Sequence, residues 1–293
     1  VKKYLTVLRR IVLVILGLSA IADMHTIHAE TIHYVQSSTP TIFVHGWGSS
    51  SRAEEKMVNA ARSAGVTKTV VKANVDRKGN VTFSRQLPAK AVNPIVEVNL
   101  EDNKLAGYGK HGDYVAGYHH GGTYVKDVIV ALQRQYSCST VNLVGHSMGN
   151  LEIINYVKDN YDNNKLPQIS HLVALAGHYN GLVGQPQAEQ VRLSSGGKPD
   201  WMDPTYQELL SLRKTFPRET KVLNIYGDLG DGSHSDGDVP VNSAKALKYL
   251  LAGRAKSYRE VEITGKDAQH SKLHNNSQVN HELINFLWTT ERH

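Results

Sequence analysis

Cysteine is almost absent. Cys138 is the single one among 293 residues, which excludes an intrachain disulfide. It also lies far from the N-terminus and cannot carry a lipid there. No block of like charge occurs, nor an arginine-rich stripe interleaved with aromatics, so nucleic-acid binding has no support. Internal repeats and low-complexity tracts are missing too, which argues against a repetitive wall protein. The C-terminal stretch NFLWTTERH carries no apolar tail or sorting segment. What remains, 40% hydrophobic and 20% charged residues, is enough for one large globular domain. The net charge of +6 favours loose attraction to anionic cell-wall polymers or lipid headgroups and says nothing about fold.

The N-terminus is the one strongly apolar place. Lys2, Lys3, Arg9 and Arg10 precede IVLVILGLSAIA, Ile11 to Ala22. A basic region, a short apolar run and small residues at Ala20 and Ala22 fit a secretory signal peptide. Cleavage after Ala22 and after Ala29 both fit, and an uncleaved anchor is the alternative. The run is shorter than the roughly 20 residues that span a bilayer. Residues 1–29 are therefore set apart from a domain over 30–293, expected to be secreted or held at the cell surface.

Beyond that, apolar strands alternate with amphipathic helices. TIFV leads into the turn HGWGSS, and residues 52–64 have helical spacing with Met57, Ala60 and Ala61 on one side. A hairpin is expected around Asp76–Gly79, and a helix over Gly121–Tyr136 with Val125, Val128, Ile129 and Leu132 in phase. STVNLVG, HLVALAG, TKVLNIYG and YREVEIT read as buried strands, and SQVNHELINFLW as the closing helix. Near-continuous apolar strands between helices predict an α/β fold, a mainly parallel sheet covered on both faces. The connection 178–219 is long for a compact domain and is expected to be a cap or lid insertion after the third-last strand.

Near the midpoint stands VGHSMGN, Val144 to Asn150. Gly145-His146-Ser147-Met148-Gly149 follows a strand and opens a helix, the context of a nucleophile elbow. Small flanking residues permit the strained turn that lifts the hydroxyl above the sheet. A hydroxyl becomes a nucleophile once an imidazole takes its proton and a carboxylate orients that imidazole. For a serine of this type the acid comes later in the chain, and then the histidine. Asp228, Asp231, Asp236 and Asp238 stand where the acid is due; His270, His274 and His281 follow where the base is due. The oxyanion that forms on attack needs two N–H donors. Met148 follows the nucleophile, and Trp47 lies in the loop after the early strand. HGDYVAGYHHGG, His111 to Gly122, has the look of a metal or substrate loop. It lacks an acid or cysteine at ligand spacing, so a helix-entry loop is the expectation and no metal or cofactor is implied. Cys138 reads as core.

With FVHGWGSS, VNLVGHSMGN, SDGDVPVNSA and DAQHSKLHNN in that order, the chain resembles the α/β-hydrolase superfamily. More closely it resembles the secreted, lipase- and esterase-like candidate cell-surface hydrolases of Gram-positive bacteria. The resemblance runs from about Thr31 to the C-terminus. It implies Asp236 as the acid, since SDGDVP matches the segment carrying it in many bacterial lipases. It likewise implies His270 as the base, with His274 the alternative, and places His45-Gly46 where lipases carry their HG pair. Asn150 departs from the glycine that many lipases carry after the elbow. The function implied is an exported serine hydrolase that cleaves small-molecule or lipid carboxylic esters through an acyl-enzyme. An acyltransferase with the same triad and a catalytically silent surface binding protein remain the alternatives. Leu182, Val183, Trp201 and Met202 of the long connection are expected to supply an apolar acyl pocket.

Overall fold

The structure, a computed structural model, describes residues 33–109 and 112–290. The apolar run Ile11–Ala22, both cleavage points and His111 lie outside the described residues. Within them the strands are β1 (Thr41–Val44), β2 (Val70–Val75), β3 (Val81–Phe83), β4 (Ile95–Leu100), β5 (Thr140–His146), β6 (Gln168–Leu175), β7 (Lys221–Asp228) and β8 (Ser257–Thr264). They form one 8-stranded sheet in the order β3-β2-β4-β1-β5-β6-β7-β8. Every pairing is parallel except β2 with β3, the hairpin around Asp76–Gly79.

Four longer helices cover the sheet: α1 (Glu55–Ser63), α2 (Tyr114–Tyr136), α3 (Met148–Asp159) and α4 (Ser277–Trp288). Ile42 and Val44 of β1 belong to the apolar layer of Val125 and Ile129 on α2 and Ile154 on α3. Phe43 between them belongs to the layer of Met57 on α1 and Leu283 on α4. Leu143 and Val144 of β5 divide in the same way. Successive strand residues point to opposite faces, so a strand covered on both sides reads as an unbroken apolar run. Each such buried side chain contributes about 1.5–3 kcal/mol.

The order of strands fixes where chemistry can sit. From β1 the sheet grows through β4 and β2 on one side and through β5 to β8 on the other. The carboxyl ends of β1 and β5 therefore flank the point where the winding reverses, the usual crevice for a ligand in an open parallel sheet. The turn after β1 carries His45-Gly46-Trp47, and β5 runs into Ser147.

Over Tyr114–Gly122 the expected helix-entry loop is helix instead. From Tyr114 onward it is already α2, capped by the Asp113 carboxylate, which accepts from the Ala116 N–H at 3.0 Å. Two glycines of this stretch serve a close helix contact. A Cβ on Gly121 would come within 2.6 Å of Glu152 Cγ on α3, and one on Gly122 within 2.8 Å of the Tyr156 nitrogen. The long connection, for its part, folds into the short helices Pro186–Glu189, Pro204–Glu208 and Leu212–Thr215. Tyr206, Leu209, Leu212 and Phe216 of this stretch enter the core.

Glu152, on α3 beyond Ser147, is fully buried in that helix contact. Neither carboxyl oxygen has a partner among the described residues. Burial, and then the nearby Asp102, push its pKa up to about 8. The folded chain thus keeps a proton that the unfolded chain releases near 4.5. Stability from this group is whole below that value and drains away as pH rises toward about 8. Glu97, raised by burial to about 7, and Glu54, raised well above its usual range, act in the same direction. Glu152→Gln is expected to flatten part of the fall in Tm above pH 5, with the two proteins about 5 °C apart by pH 9. Parallel Tm curves for the two would show that Glu152 does not carry this dependence.

Candidate active site

Ser147 sits between β5 and α3 with φ 52° and ψ −122°, a backbone state that L-residues avoid and that costs on the order of 1–3 kcal/mol. The surroundings hold it there. Its N–H donates to the Leu175 carbonyl at 3.0 Å. Asn150, read in the sequence only as a departure from glycine, turns out to clamp the turn. Its backbone N–H reaches the Ser147 carbonyl at 3.0 Å, and its side-chain Nδ2 donates to the same oxygen at 3.1 Å and to the Leu175 carbonyl at 2.8 Å. Gly149 lets α3 start directly against β1, because a Cβ there would run into the Val44 carbonyl.

Asp236, in the loop after β7, is 1% exposed and fully engaged. Its Oδ1 accepts from the Val239 N–H at 2.7 Å and the Asp238 N–H at 3.0 Å. Its Oδ2 accepts from His270 Nδ1 at 2.8 Å, and the His270 N–H donates to the Asp236 carbonyl, also at 2.8 Å. A carboxylate has no proton to give, so the hydrogen on His270 resides on Nδ1, which leaves a lone pair on Nε2. His270 and Ser147 line one cavity of about 600 Å³. Of the other acids of the loop, Asp228 accepts from the Gly230 N–H and Asp231 from the Ser233 N–H, while Asp238 lines the cavity and gives its backbone N–H to Asp236.

The two alternative histidines lack this arrangement. His274 lines the cavity, but its Nδ1 is buried without a partner among the described residues. Burial first, then the adjacent His270 imidazole, pull its pKa down. His281 lies on α4 and bonds with Asn285 at 2.8 Å.

His146, between the flanking glycine and the serine, went unassigned from sequence. Its Nε2–H donates to the His270 carbonyl at 3.2 Å, and its ring lies against His270 and His274 with centroids 4.9 and 5.1 Å apart. Full burial and these imidazoles push its pKa well below the usual histidine range, so it is a neutral tie between the serine turn and the histidine loop. His45 is fixed as well. Its Nε2 accepts from the Leu100 N–H at 3.1 Å, so its Nδ1–H donates to the Gly46 carbonyl at 2.9 Å.

Beside the serine, Met148 is the first residue of α3, where helix N–H groups have no intrahelical acceptor. Gly48 and Ser49 donate to the Asn103 and Gly46 carbonyls, while the Trp47 N–H has no acceptor among the described residues. Trp47 lines the cavity and is 61% exposed, with the Lys104 ammonium 4.7 Å from the centre of its ring. Leu182 and Val183 of the long connection also line the cavity; Trp201 and Met202 do not. The described residues include no group of three or more histidine, cysteine, aspartate or glutamate side chains able to hold a metal ion. Cys138 is buried in the core. Among the described residues no helix is long and apolar enough to cross a membrane.

Solved structures that share this architecture include two that this chain matches over most of their length. A gene product of Listeria innocua superposes with a TM-score of 0.78 at 24% identity, over 87% of this chain and 96% of that one. A candidate cell surface hydrolase from Lactobacillus plantarum superposes with a TM-score of 0.65 at 21% identity, over 85% of this chain and 89% of that one. At these identities the likeness is one of fold. No curated protein matches the sequence. A parallel sheet wound in this order, a serine at the elbow after its fifth strand and a match to the family model over residues 28–290 agree: the chain belongs to the family of alpha/beta hydrolases of unknown function, DUF915.

Proposed function

We propose that this protein is an exported serine hydrolase that cleaves carboxylic esters, with Ser147, His270 and Asp236 as its catalytic triad. The observation that carries the reading is the convergence of a strained Ser147 and an Asp236-bound His270 on one cavity. In this mechanism His270 Nε2 takes the Ser147 proton as Oγ attacks the acyl carbonyl. The Trp47 and Met148 N–H groups receive the oxyanion. The proton then passes from His270 to the leaving alcohol, and water hydrolyses the acyl-enzyme by the same route in reverse roles. The connection 178–219 acts as a cap. Its Leu182 and Val183, with Leu105, give the cavity an apolar wall for the acyl or alcohol chain. Export rests on the N-terminal signal pattern, and loose attachment to an anionic wall or membrane surface rests on the +6 charge.

A fluorophosphonate probe followed by mass mapping of the adduct tests the reading. Labelling is expected at Ser147. It should disappear in His270→Ala and persist in His274→Ala, which removes a ring neighbour and leaves the base in place. Folded protein that takes no label would favour a silent surface binding protein. Loss of label in His274→Ala alone would move the base to that residue.

A further inference from the structure

A second buried pair lines the same cavity and has no part in the proton transfers above. Tyr118 on α2 and His178 in the turn after β6 are 8% and 7% exposed, and Tyr118 Oη lies 3.0 Å from His178 Nε2. The rings meet edge to face, with centroids 5.9 Å apart. Burial, and then the imidazole of His270, lower the His178 pKa to about 3, so the ring is neutral.

A neutral imidazole has one N–H and one lone pair, and here the two positions are not equivalent. Nδ1 of His178 is buried with no partner among the described residues. A proton on Nδ1 would leave a buried N–H unbonded, the orphan that proteins tolerate least. A proton on Nε2 leaves only an unpaired lone pair, and lets Nε2–H donate to the Tyr118 oxygen. The phenol then keeps its own O–H to give, and His178 is the partner the structure records for that hydroxyl. The charged or titratable groups that act on Tyr118 are Tyr114 of the same helix, Asp203 of the long connection and Glu152 of α3. Together with burial all of them favour the protonated phenol, so the donor persists across the working pH range.

From this geometry we infer that Tyr118, oriented by His178, is a substrate-binding donor, and that the cavity selects esters with a second hydrogen-bond acceptor on the acyl or alcohol chain. Ether, ketone and amide oxygens belong to that class. The inference rests on the ester-hydrolase reading above and adds a preference to it.

Matched ester pairs of equal length test it. One pair is 4-nitrophenyl butyrate and 4-nitrophenyl methoxyacetate; the other is butyl acetate and 2-methoxyethyl acetate. Within each pair a methylene is exchanged for an ether oxygen. The quantity read is the ratio of kcat/KM within a pair, compared between wild type and variant, so intrinsic reactivity cancels. In Tyr118→Phe the ratio should fall about tenfold for at least one pair, the worth of one hydrogen bond, with the change carried by KM. His178→Phe should lower the same ratio by removing the group that orients the hydroxyl. A purely structural role for Tyr118 would reduce both members of a pair alike. Unchanged ratios in both pairs would therefore overturn the proposal. Turnover of all four esters that survives Ser147→Ala would sink the hydrolase reading itself, and this inference with it.

Discussion

Replacing Ser147 by alanine is expected to lower ester turnover about 10⁶-fold, to the level that binding and the oxyanion donors alone sustain. The fold should be retained. The turn is held by backbone groups and by Asn150: the Ser147 N–H to Leu175, and the Asn150 amide to the Ser147 and Leu175 carbonyls. None of these uses the hydroxyl. Alanine inherits the unfavourable φ of 52°, so its Tm should stay within a degree or two of wild type. Ser147→Gly should be as inactive, yet melt higher by about 2–4 °C, because glycine occupies positive φ without strain. Activity and stability then move independently, as expected of a site where strain serves the chemistry. An alanine variant that keeps more than about a hundredth of wild-type turnover would exclude Ser147 as the nucleophile. A glycine variant no more stable than alanine would show that the turn holds no relievable strain.

The elbow could be read from sequence because its steric demands leave a local mark. A serine lifted above a sheet needs small neighbours, and an apolar strand must precede it. β5 and α3 flank Ser147 as that reading requires. The candidate acid is less legible. Asp228, Asp231, Asp236 and Asp238 lie close together, and only resemblance singled out Asp236. The structure distinguishes it physically, since Asp236 is 1% exposed and bonded to an imidazole. Other features left no local trace. The helix expected from Gly121 begins at Tyr114, and Gly121 and Gly122 lie inside it, where their packing partners, Glu152 and Tyr156, belong to another helix. Likewise, the tie from His146 to the His270 carbonyl spans 124 residues, and the Tyr118–His178 bond spans 60. Pairings of that range arise from the winding of the sheet. The spacing of tyrosines and histidines in GDYVAGYHH carries no mark of them.

Asp236→Asn should reduce kcat by about 10⁴-fold while barely disturbing the fold, and the reason lies in which oxygen is already occupied. Oδ1 of Asp236 is fixed by the Val239 and Asp238 N–H groups, and Oδ2 faces His270 Nδ1. In the asparagine variant the loop donors would still demand an oxygen. The amide must therefore turn its NH₂ toward the imidazole. A donor facing Nδ1 forces the ring proton onto Nε2, the atom that has to accept a proton from Ser147. The base would be intact, correctly placed and in the wrong tautomer. Nitrogen NMR of the histidine side chains can observe this directly, as the protonated position of His270 moves from Nδ1 in wild type to Nε2 in the variant. Asp236→Ala is the poorer experiment, because it strands the Val239 N–H in a buried position and mixes stability with catalysis. Near-wild-type turnover in Asp236→Asn would mean that His270 owes neither its tautomer nor its basicity to this carboxylate. The backbone bond from the His270 N–H to the Asp236 carbonyl would then be the contact that positions the ring.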